Sequence, residues 1–319
     1  MTVRVPDPAS PDLFVVRRAV RALDQELAAL QEEVERYGRD PQSSCLHLAE
    51  GTAWRQAPAH TQRAHRRRLR QDVLAYARLA TVSVIDHLWA VRQLLAVSGY
   101  LPLFAYATAG RAACEAAAKV GYLLNETIGY ESRLLRGAVL LREDAESRMK
   151  AAKALPEDFP VAETAVRDAQ YHWNVITGRI SRAGIIEICN SGGRPVRLQI
   201  PGLPGRGQPI KVLLSDLVSA AFPDRPNLYR QASGTAHSAP WMLSDAVVSS
   251  PGPHLELTPD ILGIGAAALV CIDAGGVVSA AYAAYYGHDP APAARARKVR
   301  TTALDLCMND WFSQRRVFG

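Results

Sequence analysis

The segment Ile261 to Tyr286 is apolar from end to end except for Asp273 and Ser279, and 12 of its 26 residues are Ala or Gly. A helix with no polar face must be covered on every side, by protein or by lipid. Small side chains bury little area each, a carboxylate sits at mid-span, and no Trp or Lys/Arg belt flanks the ends. The segment therefore reads as the central helix of a bundle rather than a transmembrane span.

Suitable neighbours are written into the rest of the chain. Leu13, Val16, Val20, Leu23, Leu27, Leu30 and Val34 recur at steps of three and four, with Glu26, Gln31, Glu32 and Glu35 on the other face, so residues 12–37 form a heptad helix. That stripe packs on the bundle or pairs with a second protomer. Residues 38–59 carry breakers at both ends and no sustained period, which reads as a loop with one helical turn. A long helix follows over 61–97, basic at first (Arg63, Arg66, Arg67, Arg68, Arg70) and apolar later, so its start is expected to project beyond the core. Helices over 103–125, 130–155 and 161–183 complete a core-forming set over 61–185.

The 20 residues from Asn190 to Pro209 hold five Gly and four Pro. With β-branched residues on both sides of Ser191-Gly192-Gly193, the region near 186–209 reads as a Gly/Pro-rich loop or short hairpin. Residues 210–319 supply the C-terminal helices, over 210–222, 227–237, 260–286 and 291–312. With strands nearly absent, the fold class is all-α. One domain over 1–319 is expected, a multi-helix bundle of eight to ten helices.

Composition removes several classes of function. The chain has 319 residues, 37 Lys+Arg against 31 Asp+Glu, and a net charge of +6, which favours anionic partners mildly. Residues 1–12 lack an apolar signal core and an Arg-rich transit pattern, so a cytoplasmic location without a membrane is expected. Five scattered cysteines, Cys45, Cys114, Cys189, Cys271 and Cys307, form no C-x-x-C pair and read as reduced, buried side chains. No phosphate-binding loop, dinucleotide fingerprint or G-x-S-x-G elbow is present. No His has a Glu three residues before it, as a di-iron bundle requires. No metal and no cofactor are expected.

Two constellations carry chemistry. Arg111, Glu115 and Lys119 lie at i, i+4, i+8 among alanines too short to lift them clear of a packed neighbour. Such charges are either paired, as with Asp273 of the apolar helix, or line a polar cleft. The second constellation is Tyr229 to His237. Tyr229, Ser233 and His237 share one helical face, and Arg230 lies seven residues before His237. A guanidinium that grips phosphoryl oxygens and an imidazole that moves protons at neutral pH suit a phosphodiester. The same residues also suit a buried hydrogen-bond network joining helices.

The Arg230, Gln231 and His237 pattern resembles the R-x(4–6)-H motif of the HEPN superfamily, which includes metal-independent ribonucleases whose motif sits at a dimer cleft. The resemblance implies that Arg230 contacts phosphate and His237 is a general acid/base, in a homodimer acting on RNA through the ribose 2′-OH. Six intervening residues are the limit of that motif. Arg111-x-x-x-Glu115 together with Tyr229 to His237 and Trp241 is also similar to a broad group of uncharacterised actinobacterial helical proteins, over about residues 105–241. The tail from Asn309 to Ser313 resembles the start of the magnesium motif of class I terpene synthases, but Val317 stands where that motif has Glu.

The leading expectation is a HEPN-like protein that binds or cleaves RNA through Arg230 and His237, with Ser233 and Tyr229 beside them. Arg63, Arg66, Arg67 and Arg70 then act as an electrostatic guide, although that run contains no aromatic side chain on which a base could stack. An alternative is a small-molecule enzyme or ligand-binding bundle for a small anionic ligand, with a pocket near Arg111, Glu115, His237 and Asp273 and with Tyr282, Tyr285 and Tyr286 at its mouth. A further alternative is a dimeric interaction protein without catalysis.

Overall fold

The computed structural model describes residues 2–3, 11–97, 101–156, 158–203, 205, 207–225, 233–234, 247–248 and 256–318. Among these, the chain is an all-α multi-helix bundle. Its helices are α1 (Pro11–Arg39), α2 (Leu46–Ala53), α3 (His60–Ala96), α4 (Ala105–Leu124), α5 (Tyr130–Lys153), α6 (Ala162–Arg182), α7 (Leu214–Ala221), α8 (Ile261–Tyr286) and α9 (Ala291–Phe318). The strands are β1 (Thr2–Val3), β2 (Ile186–Cys189), β3 (Pro195–Gln199), β4 (Gln208–Pro209), β5 (Val247–Val248) and β6 (Glu256–Leu257), in two small sheets ordered β1-β6-β5 and β2-β3-β4. The segment 38–59, read from sequence as a loop, contains α2 and a 3-10 turn over Trp54–Gln56.

Contacts group the chain into two compact units. Unit 1 comprises Met1–Gln42, Ala80–Gly121 and Leu217–Gly319; unit 2 comprises Ser43–Leu79 and Tyr122–Asp216.

In unit 1, α8 is the central helix, buried along most of its length and packed against α1 and α9. Gly287 ends it in the left-handed conformation (φ 81°), with the His288 N–H closing on the Ala283 carbonyl at 2.8 Å. Helix α1 opens on Pro11 and Asp12 and closes on Arg36 and Arg39, which suits both ends of its dipole. Of its stripe, Leu13, Val20, Leu27 and Val34 are half-buried, while Val16, Leu23 and Leu30 are buried, the last two completely. Each such leucine contributes roughly 1.5–3 kcal/mol. The buried face is not the one the heptad reading placed inward, since it also carries Glu26, Glu33 and Tyr37. Glu26, assigned from sequence to the solvent face, is fully buried.

In unit 2, α5 packs against α6, β3 and β4. Leu69, Leu134, Leu135, Val139, Ile180 and Leu198 lie in one core cluster, with Trp54 and Trp173 packed against it. The expected hairpin is present: β2 and β3 pair antiparallel, and Asn190 Oδ1 accepts the Gly192 and Arg194 N–H groups at 3.1 and 3.0 Å. β4 completes the sheet only because residue 207 is glycine. A side chain there would collide with the Leu198 carbonyl, and its φ is +75°.

Of the five cysteines, Cys45, Cys114, Cys271 and Cys307 are buried as expected, while Cys189 on β2 is exposed. Burial pushes the Cys271 thiol up to about 12, which favours the protonated form.

Candidate functional site

The turn between α2 and α3 builds a basic groove in unit 2. Trp54 follows directly on α2, and its indole N–H donates to the Gly51 carbonyl at 2.8 Å, which fixes the ring. Pro58 separates it from α3, whose first three turns carry Arg63, Arg66, Arg67, Arg68 and Arg70.

The five guanidiniums divide by what they touch. Arg66 is buried, and its Nε donates to the Ala183 carbonyl at 3.0 Å, capping the end of α6. Arg70 donates to the His47 carbonyl at 2.7 Å, and Arg63 to the Ala57 carbonyl at 2.9 Å. The basic start of α3 therefore does not simply project beyond the core. Arg66 is a structural tie inside it, because a guanidinium is well suited to satisfying carbonyls that a helix end leaves open.

Arg67 and Arg68 are exposed. The Arg67 guanidinium carbon lies 5.7 Å from the centroid of the Trp54 ring, and that of Arg55 lies 5.4 Å from it. Together with His60 and Arg63 these residues line a groove of about 720 Å³. No acidic side chain lines it, and Arg55, Arg63, Arg67 and Arg68 form no ion pair among the described residues. The aromatic ring missing from the basic run is thus supplied by Trp54, outside that run. Close by, burial and the positive charges of Arg70 and Arg78 hold the His47 imidazole below its ordinary value.

Of the phosphodiester constellation, Tyr229, Arg230, Gln231 and His237, with Trp241, lie outside the described residues. Ser233 is described, half-buried, in a helical pair with Gly234.

In unit 1, Arg111 and Glu115 of α4 pair at 2.7 Å, both half-buried, as their i, i+4 spacing suggests. The sequence-based partner of Arg111, Asp273, meets Arg225 instead, at 2.5 Å. Arg225 also reaches Asp305 at 3.7 Å. These three line a cleft of about 730 Å³ together with Lys298, Thr301 and Thr302. Burial raises the Asp273 carboxyl above its usual range, Arg225 pulls it back, and Asp305 and Asp224 add to the rise. Tyr282, Tyr285 and Tyr286 are buried rather than standing at a mouth, because α8 is enclosed at that end as well. In the tail, Trp311 donates to Asp12 Oδ1 at 2.7 Å, which ties α9 to the start of α1.

A buried ionic network escaped the sequence reading. Glu26 accepts from Arg297 at 2.6 Å and from Arg300 at 2.5 Å; Glu33 accepts from Arg297 at 2.6 Å and from the Ser279 hydroxyl at 2.5 Å. Its signal was present in a second track along α1, where Ala19, Ala22, Glu26, Leu30, Glu33 and Tyr37 recur at steps of three and four. In unit 2, Arg133 plays a comparable part, holding buried Glu50 at 2.9 Å and the Asn125 and Ile128 carbonyls at 3.0 and 3.2 Å.

No family model, curated protein or solved structure matches the chain.

Proposed function

We propose that this is a HEPN-like RNA-binding protein that cleaves its substrate without a metal, with Arg230 and His237 as the working pair. The observation that supports RNA is the unit 2 groove, lined by Arg55, Arg63, Arg67 and Arg68 with Trp54 and by no carboxylate among the described residues. Uncompensated guanidiniums beside an aromatic face suit a phosphate backbone with accessible bases. At the cleavage step, Arg230 holds the phosphoryl oxygens. His237 takes the proton of the ribose 2′-hydroxyl as its oxygen bonds to phosphorus. The bond from phosphorus to the 5′-oxygen breaks, that oxygen takes a proton from solvent, and a 2′,3′-cyclic phosphate remains.

The test is incubation with single-stranded RNA in EDTA, comparing wild type with His237→Ala and with Arg67→Glu/Arg68→Glu, each verified as folded. The expected result is cleavage by wild type, loss of at least about a hundredfold in His237→Ala with binding retained, and weakened binding in the double variant. Binding without cleavage in wild type would remove the nuclease step. No binding at all would favour a second reading, a small-ligand site in the unit 1 cleft, which rests on the single carboxylate that α8 presents there.

A further inference from the structure

Arg63, Arg66, Arg67 and Arg70 look equivalent as a basic run, but the structure makes them unequal. Arg63, Arg66 and Arg70 are tied to the carbonyls of Ala57, Ala183 and His47, whereas Arg67 and Arg68 are exposed. Arg55 and Arg67, from opposite sides of the Pro58 break, both approach the Trp54 ring. The ring is half-buried and held by its own N–H and by the core beneath it. A fixed aromatic surface loses little entropy when a flat partner stacks on it. Guanidiniums at 5.4 and 5.7 Å from the same ring can stack on that partner or take its phosphates.

We infer that the groove is selective for unpaired nucleotides, with Trp54 as the base-stacking platform and the exposed Arg67 and Arg68 as phosphate contacts. This rests on the RNA reading above and narrows it to strands with exposed bases. A duplex keeps its base faces stacked inside and offers only its phosphates and groove edges, so it engages the arginines and not Trp54. With about 720 Å³ available, the groove falls in the range of a site for one small ligand rather than a helix.

The experiment measures binding of an unstructured single-stranded RNA, the matching RNA duplex and inorganic polyphosphate to wild type, Trp54→Phe, Trp54→Leu and Arg67→Glu/Arg68→Glu. Because Trp54 packs on the core, each variant is first checked for an unchanged circular dichroism spectrum and a cooperative melt. Trp54→Phe keeps an aromatic face and serves as the rescue. The expected pattern is a preference of wild type for the single strand and a loss of about tenfold in Trp54→Leu on the single strand alone. Trp54→Phe stays within about threefold of wild type, and the charge variant falls on all three ligands. Equal losses of Trp54→Leu on single strand and duplex, or polyphosphate binding as tight as RNA, would overturn stacking while leaving an electrostatic RNA site standing. Failure of wild type to bind any RNA would overturn both readings.

Discussion

Gly275 and Gly51 are both helical, yet the space around them is opposite. A methyl group on Gly275 would collide with the Glu26 carboxylate, whereas nothing lies within 4 Å of one on Gly51. Gly275→Ala should therefore cost about 1–3 kcal/mol, as overpacking does, because it drives a paired carboxylate away from Arg297. Gly51→Ala should stabilise by about 0.4–1 kcal/mol, because alanine restricts the unfolded chain and fits the helix. Chemical denaturation of the two variants checks both signs, and a neutral Gly275→Ala would mean that α1 and α8 pack less closely than described. At this scale the sequence was least legible. Glu26 looks like any surface glutamate of a heptad helix until the glycine opposite it is known. Arg66 is indistinguishable from Arg67 until Ala183 is placed beside it.

Among elements, α1, α8 and α9 are joined by both apolar packing and the Glu26, Glu33, Arg297 and Ser279 network. Burial raises the Glu26 carboxyl, while Arg297 and Arg300 pull it back, so the pairing forms against a cost in desolvation. Removing one partner leaves the others buried and uncompensated. Glu26→Ala should lose about 3–5 kcal/mol, whereas Glu26→Met/Glu33→Met/Arg297→Met/Arg300→Met together should recover at least about 2 kcal/mol of that loss. Urea unfolding of both proteins reads the difference, and a single-variant loss under about 1 kcal/mol would show that the network contributes little. Helix α1 is packed on α8 and α9 within its own unit through this network and through Val16, Leu23 and Leu30. Existence and type of the long helices were legible because their periods run for five turns or more. Helix α2 was not, since two turns ending in a 3-10 turn are too short to show a period.

Across the whole molecule, the two units carry shifted groups of opposite sign. In unit 2 the folded His47 lies below its unfolded value of 6.5, so its contribution is complete above 6.5 and is lost as pH falls through that value. Glu146, lowered by its hydrogen bond to Lys150, acts in the same direction below its unfolded value of 4.5. In unit 1 burial raises Asp273 above 3.8, so its folded form takes up a proton first; stability is lost as pH rises through the folded value and regained as it falls. Amide exchange protection factors at about pH 7 and about pH 5 should therefore fall in unit 2 without a matching fall in unit 1. His47→Gln should flatten the unit 2 response, and equal loss in both units would contradict this assignment. By itself the sequence determined the all-α class, the central place of the apolar helix, the hairpin after Asn190 and the i, i+4 pair of Arg111 with Glu115, because each depends on local period or spacing. The tertiary structure alone decided which guanidiniums are spent on carbonyls and which stay exposed, that Trp54 stands beside Arg67, and that Asp273 meets Arg225. Partners distant in the chain are chosen by packing, and no local period records them.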